Sequence, residues 1–270
     1  MISGYGLHTG APSWVHLHPA DGDVRFRRGQ QEIPARLEFV TDTTRSTTLA
    51  RGGYQVLTVE HLLAALHVRG WWRGLVIEVS ADEVPILDGS AAPWLGLIDA
   101  LGPPPPAPGG YYVSEAFTLR QGEAHCRVSP GAPSLCAEIS FDHPAIGKQR
   151  WCGAPDSFET LLPARTFGFL SELESLRERG LATAASLDNA VVFGDDGPLT
   201  PLRVPDEPVR HKALDALGDF FLLGRPLLGR LEVIRGSHEA HLHFARTLLR
   251  EAMLLSLLPS PAGEAGELPC

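Results

Sequence analysis

The stretch 209–219 (VRHKALDALGD) sets an imidazole and a carboxylate four residues apart, at His211 and Asp215. In a helix that spacing is about one turn, so both side chains project from one face and can grip the same metal ion. Asp219 continues the face by another turn as an acid behind the ligands, and Lys212 leans over the rim. A second stretch, 58–66 (TVEHLLAAL), supplies His61 directly preceded by Glu60. If His61 completes the pair, His61, His211 and Asp215 make a His/His/Asp set suited to Zn²⁺ and, less often, Fe²⁺. Glu60 is then left over as a base. Each piece also has an ordinary reading: an i,i+4 pair on a solvated face, or a carboxylate at a helix start where the dipole favours it.

The elements that must position these groups are bounded by composition. At 270 residues, with 44% apolar and 20% charged residues, the chain is long enough for two ordinary globular domains. A net charge of −9 argues against a nucleic-acid surface, which needs a concentrated basic face. No apolar run approaches the roughly 18 residues of a membrane span, and the N-terminal residues lack a signal-peptide pattern, so the expected location is the cytoplasm. The cysteines Cys126, Cys136, Cys152 and Cys270 show no CxxC spacing and are read as reduced thiols.

The sharpest break is 101–110 (LGPPPPAPGG), because consecutive prolines neither continue a helix nor donate to a sheet. It divides an N-terminal unit (1–102) from a C-terminal one (111–258) across a linker at 103–110, with 259–270 a disordered tail. Before the break, strand-like runs at 24–28 and 75–79 alternate with helical patterns at 58–68 and 93–101. After it, strands near 111–120, 124–129 and 135–141 lead into helical patterns at 169–179, 209–223 and 240–256. This pattern predicts an α+β fold of two units, each a sheet covered by helices on one face. The two halves share no obvious sequence repeat.

Four motifs join the two stretches above: GYGLHTG (4–10), LDGSAAPW (87–94), RTFGF (165–169) and RGSH (235–238). In that register, from residue 4 to about residue 250, the chain resembles the UDP-3-O-acyl-N-acetylglucosamine deacetylases, zinc amidases of lipid A synthesis in Gram-negative bacteria. The resemblance implies two similar domains packed helix layer to helix layer in a β-α-α-β sandwich, with the site between them. It implies hydrolysis of the substrate's acetamide by a monomer, with the UDP-linked acylated amino sugar as ligand. His238 becomes the acid that protonates the leaving amine, with Asp219 holding it as imidazolium. The Thr166 hydroxyl can donate to a developing oxyanion, and Lys212 can bind phosphate or stabilise charge near the metal. Arg235 is implied to meet the diphosphate, Phe141 the uracil, and Leu7, Phe167 and Ala185 the rest of the substrate. The segment 169–193 is implied to form a hairpin-like insert around a tunnel for the acyl chain.

The chain also departs from the family pattern. Residues for an edge strand usually precede the GLHTG motif, so either the start codon is misassigned or that strand is expected to be missing. Ala184-Ala185 replaces a Gly-Gly, which predicts a narrower tunnel and a turn restricted by the loss of glycine's left-handed freedom. His241 stands at the Asn of a His-x-x-Asn pattern, and Ala11 and Trp72-Arg73-Gly74 differ as well. Two further readings stay open: a paralogous zinc amidase for another acylated amino sugar or natural product, and an inactive homologue kept for binding.

Overall fold

A computed structural model describes residues 1–251 together with the strand Leu254–Ser256. The tail read from sequence as disordered, 259–270, lies outside the described residues. The N-terminal half builds a five-stranded sheet from β1 (Ile2–Tyr5), β2 (Pro12–Asp23), β3 (Arg25–Arg28), β4 (Gln31–Pro34) and β5 (Arg73–Val79) in the order β1-β2-β5-β3-β4. Helix α1 (Glu60–Arg69) precedes β5 and α2 (Pro93–Asp99) follows it. The edge strand expected to be missing is present as β1, which pairs antiparallel with β2 from Ile2 opposite Val15 to Tyr5 opposite Pro12.

The C-terminal half repeats this plan. Strands β6 (Phe117–Gln121), β7 (Ala124–Ser129), β8 (Ser134–Ser140), β9 (Lys148–Gly153) and β10 (Arg230–Ile234) lie in the order β6-β7-β10-β8-β9. In both sheets the last strand inserts at the centre, antiparallel to the second strand and parallel to the third. After the short α3 (Leu173–Glu178), α4 (Glu207–Phe221) precedes β10 and α5 (His238–Arg250) follows it. The duplication invisible in residue identity is therefore explicit in topology.

Local chemistry explains the central elements. β5 is a near-continuous apolar run, as befits a strand in the middle of a sheet. β2 alternates, with Ser13, Val15 and Leu17 inward and Trp14, His16 and His18 outward. α1 buries Leu62, Leu63, Ala64, Ala65 and Leu66 in succession, so it is apolar all round and must be enclosed. It packs on α4. The contact is close because residue 218 is glycine: a Cβ there would lie 2.1 Å from the Glu60 carbonyl oxygen. α5 starts where the Ser237 hydroxyl accepts from the Ala240 N–H, an N-cap that places His238 at the first helical position.

Three sequence expectations are corrected. The helical pattern read at 240–256 ends at Arg250, and Leu254–Ser256 pairs antiparallel with Tyr111–Val113. The insert is not hairpin-like: Phe167–Phe169 runs parallel to Val191–Gly194, and parallel neighbours need the crossover that α3 provides. Cys136 and Cys152 are joined as a disulfide because the antiparallel β8–β9 register sets them opposite each other, 4.1 Å apart at Cα. Cys126 is a free buried thiol, and Cys270 lies outside the described residues.

The start of α4 is tied to the RTFGF segment by one buried ion pair. Arg165 reaches Glu207 through Nε at 2.8 Å and Nη2 at 3.1 Å, while the backbone N–H groups of Arg165 and Arg203 donate to the same carboxylate. With side chains only 8% and 1% exposed, neither charge has water to fall back on. Glu207→Ala is expected to cost roughly 3–5 kcal/mol of unfolding free energy in urea denaturation, because it strands Arg165. A loss below about 1 kcal/mol would show that Arg165 finds solvent instead.

Candidate active site and metal centre

Three elements converge on one pocket: the start of α1, the second and third turns of α4, and the start of α5. Its lining includes His61, His211, Asp215, Glu60 and His238, with Leu7, His8, Arg45, Thr166, Phe167 and Lys212 around them. His61 Nε2 lies 3.8 Å and His211 Nε2 3.3 Å from Asp215 Oδ1, and the two imidazoles meet edge to face at 5.1 Å. All three residues are buried. Asp215 Oδ1 has no hydrogen-bonding partner, whereas Oδ2 accepts from Lys212 Nζ at 3.0 Å. The Nδ1 of His211 donates to the Ala164 carbonyl at 3.3 Å, which leaves Nε2 with its lone pair toward the cluster.

Charge states agree with a cation site. Burial, reinforced by His211, pushes His61 down to about 3, and burial lowers His211 too, so both rings are neutral donors. Burial acts against the Asp215 carboxylate, but His211 and Lys212 outweigh it and hold the group well below the usual carboxylate range. Two neutral imidazoles and an ionised carboxylate with a bare, buried oxygen fit one divalent metal ion.

A second cluster, Asp219, His238 and His241, lies alongside and is equally buried. Its facing atoms are already paired. Asp219 Oδ2 accepts from His238 Nδ1 and His241 Nδ1, each at 2.8 Å, and Oδ1 accepts from the Thr47 hydroxyl at 2.7 Å. Burial opposes the His238 imidazolium, but Asp219 and Glu60 outweigh it and lift the group to about 10. The same pairing holds Asp219 at about 2 against the opposite pull of burial. Glu60 stands between the clusters, with Oε2 accepting from the Thr47 N–H at 3.0 Å and Oε1 3.8 Å from His238 Nε2. Burial raises its carboxyl to about 7, with only partial relief from His238.

Beside the His61, His211 and Asp215 cluster opens an apolar cavity lined by Leu7, Phe167, Phe169, Leu173, Leu176 and Ala185, among others. Leu7, His8, Arg45, Thr166 and Phe167 line both spaces and so form the passage between them. Ala185 lines the apolar cavity, whereas Ala184 does not, and its N–H donates to the Leu7 carbonyl instead. The expected strain at the alanine pair is not found: the left-handed residue of this turn is Ala182, at φ 52°.

The other sequence-read residues fall outside the metal-side pocket. Phe141 packs against Phe167 and Phe169 at 5.5 and 5.7 Å, and Arg235 is paired with Glu123 at 2.9 Å. Asp219 sits behind His238. Sequence reasoning missed Glu83, which is fully buried and accepts from the His8 and Thr9 N–H groups and from the hydroxyls of Thr9 and Thr58. That carboxylate ties the GLHTG loop to Thr58, whose φ of 59° is unusual for a β-branched residue. It also missed Thr47, which touches both Glu60 and Asp219. A charged residue among apolar ones in ADEVPIL was the available signal for Glu83.

The chain matches known proteins over nearly its whole length. The family model described as UDP-3-O-acyl N-acetylglycosamine deacetylase matches residues 1–250. The chain is 42% identical to the UDP-3-O-acyl-N-acetylglucosamine deacetylase of Thermosynechococcus vestitus, covering 92% of this chain and 91% of that protein. It is 39% identical to the enzyme of the same name from Syntrophotalea carbinolica (98% and 89% covered) and 38% to that of Anaeromyxobacter dehalogenans (96% and 85%). A match over most of the chain at this identity means that the protein belongs to the UDP-3-O-acyl-N-acetylglucosamine deacetylase family.

Proposed function

We propose that this protein hydrolyses the acetamide of a UDP-linked 3-O-acyl-N-acetylglucosamine to the free amine and acetate, a step of lipid A synthesis, with Zn²⁺ held by His61, His211 and Asp215. The observation that carries the reading is the bare Asp215 Oδ1 facing two neutral imidazoles, with a basic carboxylate and an imidazolium beside it. When bound, the metal polarises the amide carbonyl and acidifies water. Glu60, its carboxyl raised toward neutrality, takes a proton from the attacking water. His238 carries its proton on Nε2 toward the pocket and delivers it to the leaving nitrogen. Asp219 holds the other face of that imidazolium, the Thr166 hydroxyl donates to the oxyanion, and Lys212 adds positive charge at the rim.

The substrate's acyl chain occupies the cavity beside Leu7, Phe167 and Ala185, an apolar space that removes it from water. Arg235 and Phe141 take the nucleotide end. We assign the two topologically matched halves to domains joined at 103–110, working as a monomer in the cytoplasm. No helix among the described residues is long and apolar enough to cross a membrane. The Cys136–Cys152 bond pulls the other way, since disulfides are uncommon in reducing compartments.

Acetate release from the UDP-linked acyl sugar, beside its non-acylated form and with metal measured on the same sample, tests the reading. A zinc-loaded sample inactive on both would reject it. About one equivalent of zinc is expected per chain, and Asp215→Ala should lose it together with activity. Full occupancy in that variant would remove Asp215 from the ligand set.

The pH profile of kcat/KM should be bell-shaped, because Glu60 must be ionised while His238 is protonated. It rises through the Glu60 region near 7 and falls through the His238 region near 10. His238→Gln is expected to abolish the falling limb, and Glu60→Gln to lose on the order of 10²-fold or more with metal retained. A profile in His238→Gln that still falls at high pH would assign that limb elsewhere.

Ala185→Gly should shift the preferred acyl length upward by about one methylene, worth up to ~0.8 kcal/mol in kcat/KM, while Ala184→Gly leaves the profile alone. Identical acyl-length profiles for Ala185→Gly and the natural chain would remove Ala185 from the cavity wall.

A further inference from the structure

Asp219 is shut off from bulk solvent, and the protein supplies it with three donors. A carboxylate only accepts, so both Nδ1 atoms at 2.8 Å from Oδ2 carry hydrogen and donate. His238 and His241 are three apart on α5, hence on one helical face, and their rings meet nearly perpendicular at 6.5 Å. His241 is 1% exposed and packs against Phe220 at 6.0 Å. The neighbouring sequence is fitted to that ring. A Cβ at Gly236 would lie 2.3 Å from His241 Nε2 and 2.3 Å from Val233 Cγ1, so the glycine between Arg235 and Ser237 provides the room the imidazole occupies.

A terminal carboxylate torsion is soft and broad, and one hydrogen bond does not fix its plane. With Thr47 on Oδ1 and His241 on Oδ2, the Asp219 plane is pinned at two points, and His238 meets an acceptor already aimed at it. We propose that His241 is a positioning residue: by sharing Asp219 Oδ2 with His238 it fixes the carboxylate and, through it, the direction in which His238 Nε2 faces the reacting centre. This rests on His238 being the acid of the proposed reaction. The other ionisable groups around this trio are Glu60 on α1, Asp215 on α4 and Cys126 on β7, the thiol raised to about 12 by burial and by Asp219. None of them donates a hydrogen bond to Asp219, so none replaces His241 there.

The test compares His241→Asn with His241→Leu in the full-length, metal-loaded protein. Asn carries an N–H donor at the same branch position as the imidazole Nδ1, whereas Leu keeps apolar bulk and donates nothing. His241→Asn is expected to hold kcat within about threefold of the natural chain. His241→Leu should lower kcat by about tenfold or more, with KM and zinc content within about twofold. Gly236→Ala, which crowds the ring, should behave like His241→Leu. The His238 Nδ1–H proton, far downfield in ¹H NMR while bonded to a fixed carboxylate, should shift or broaden in His241→Leu and stay in His241→Asn. Equal kcat in the Asn and Leu variants, or an unmoved His238 resonance in the Leu variant, overturns the proposal. If the natural chain releases no acetate, the functional reading fails, and the resonance comparison still decides the role of His241.

Discussion

The close crossing of α1 and α4 is the constraint on which the rest of the molecule depends. The α4 backbone at Gly218 lies against the carbonyl of Glu60, where even a methyl group would not fit. That contact brings the first turn of one helix beside the middle of another from the far half of the chain. His61 and Glu60 thereby reach His211, Asp215 and Asp219 across roughly 150 residues of sequence. Neither half holds enough groups to make the pocket by itself. The duplicated topology supplies two helix layers, and their meeting makes the site.

So many ionisable groups in one buried place are tolerated because each is placed against a compensating neighbour. Desolvation pushes the carboxyls of Glu60, Asp215 and Asp219 up and the imidazoles of His61, His211 and His238 down, and the outcome at each depends on what it faces. Asp215 and Asp219 stay ionised because cations or N–H donors meet them directly. Glu60, held by one backbone N–H and 3.8 Å from His238, is left near neutrality. Two carboxylates locked and one poised is the division that acid–base chemistry requires.

Much of this was legible in the sequence where the relation was local. His211 and Asp215 are one helical turn apart, and Glu60 adjoins His61, so types and spacing pointed to a metal set before any fold was known. The relations that stayed hidden are all long-range. Thr47 meets Asp219 from 172 residues away and His8 meets Glu83 from 75, distances over which no pattern of residue types is informative. The Cys136–Cys152 pairing and the parallel insert are matters of register, settled only when strands are laid side by side. Strand β2 alternates Val15 and Leu17 inward with His16 and His18 outward as a strand should, but Ser13 inward and Trp14 outward reverse the pattern at its start.

The two walls of the apolar cavity differ in how they are built. One side hangs from Glu83, a fully buried carboxylate that binds the loop carrying Leu7 and His8 at several points and pins Thr58 two residues from Glu60. The other side is α3 and the short helical turn before it, neither of which buries a residue. Such a clamp has one fixed jaw and one adjustable jaw. α3 touches neither Glu60 nor His61, whereas Glu83 is hydrogen-bonded to Thr58, two residues before Glu60, so substitutions in α3 are the ones placed to reshape the cavity alone. On the function proposed above, acyl selection and metal holding would thus fall to separate parts of the chain, leaving the first free to drift while the second stays constrained.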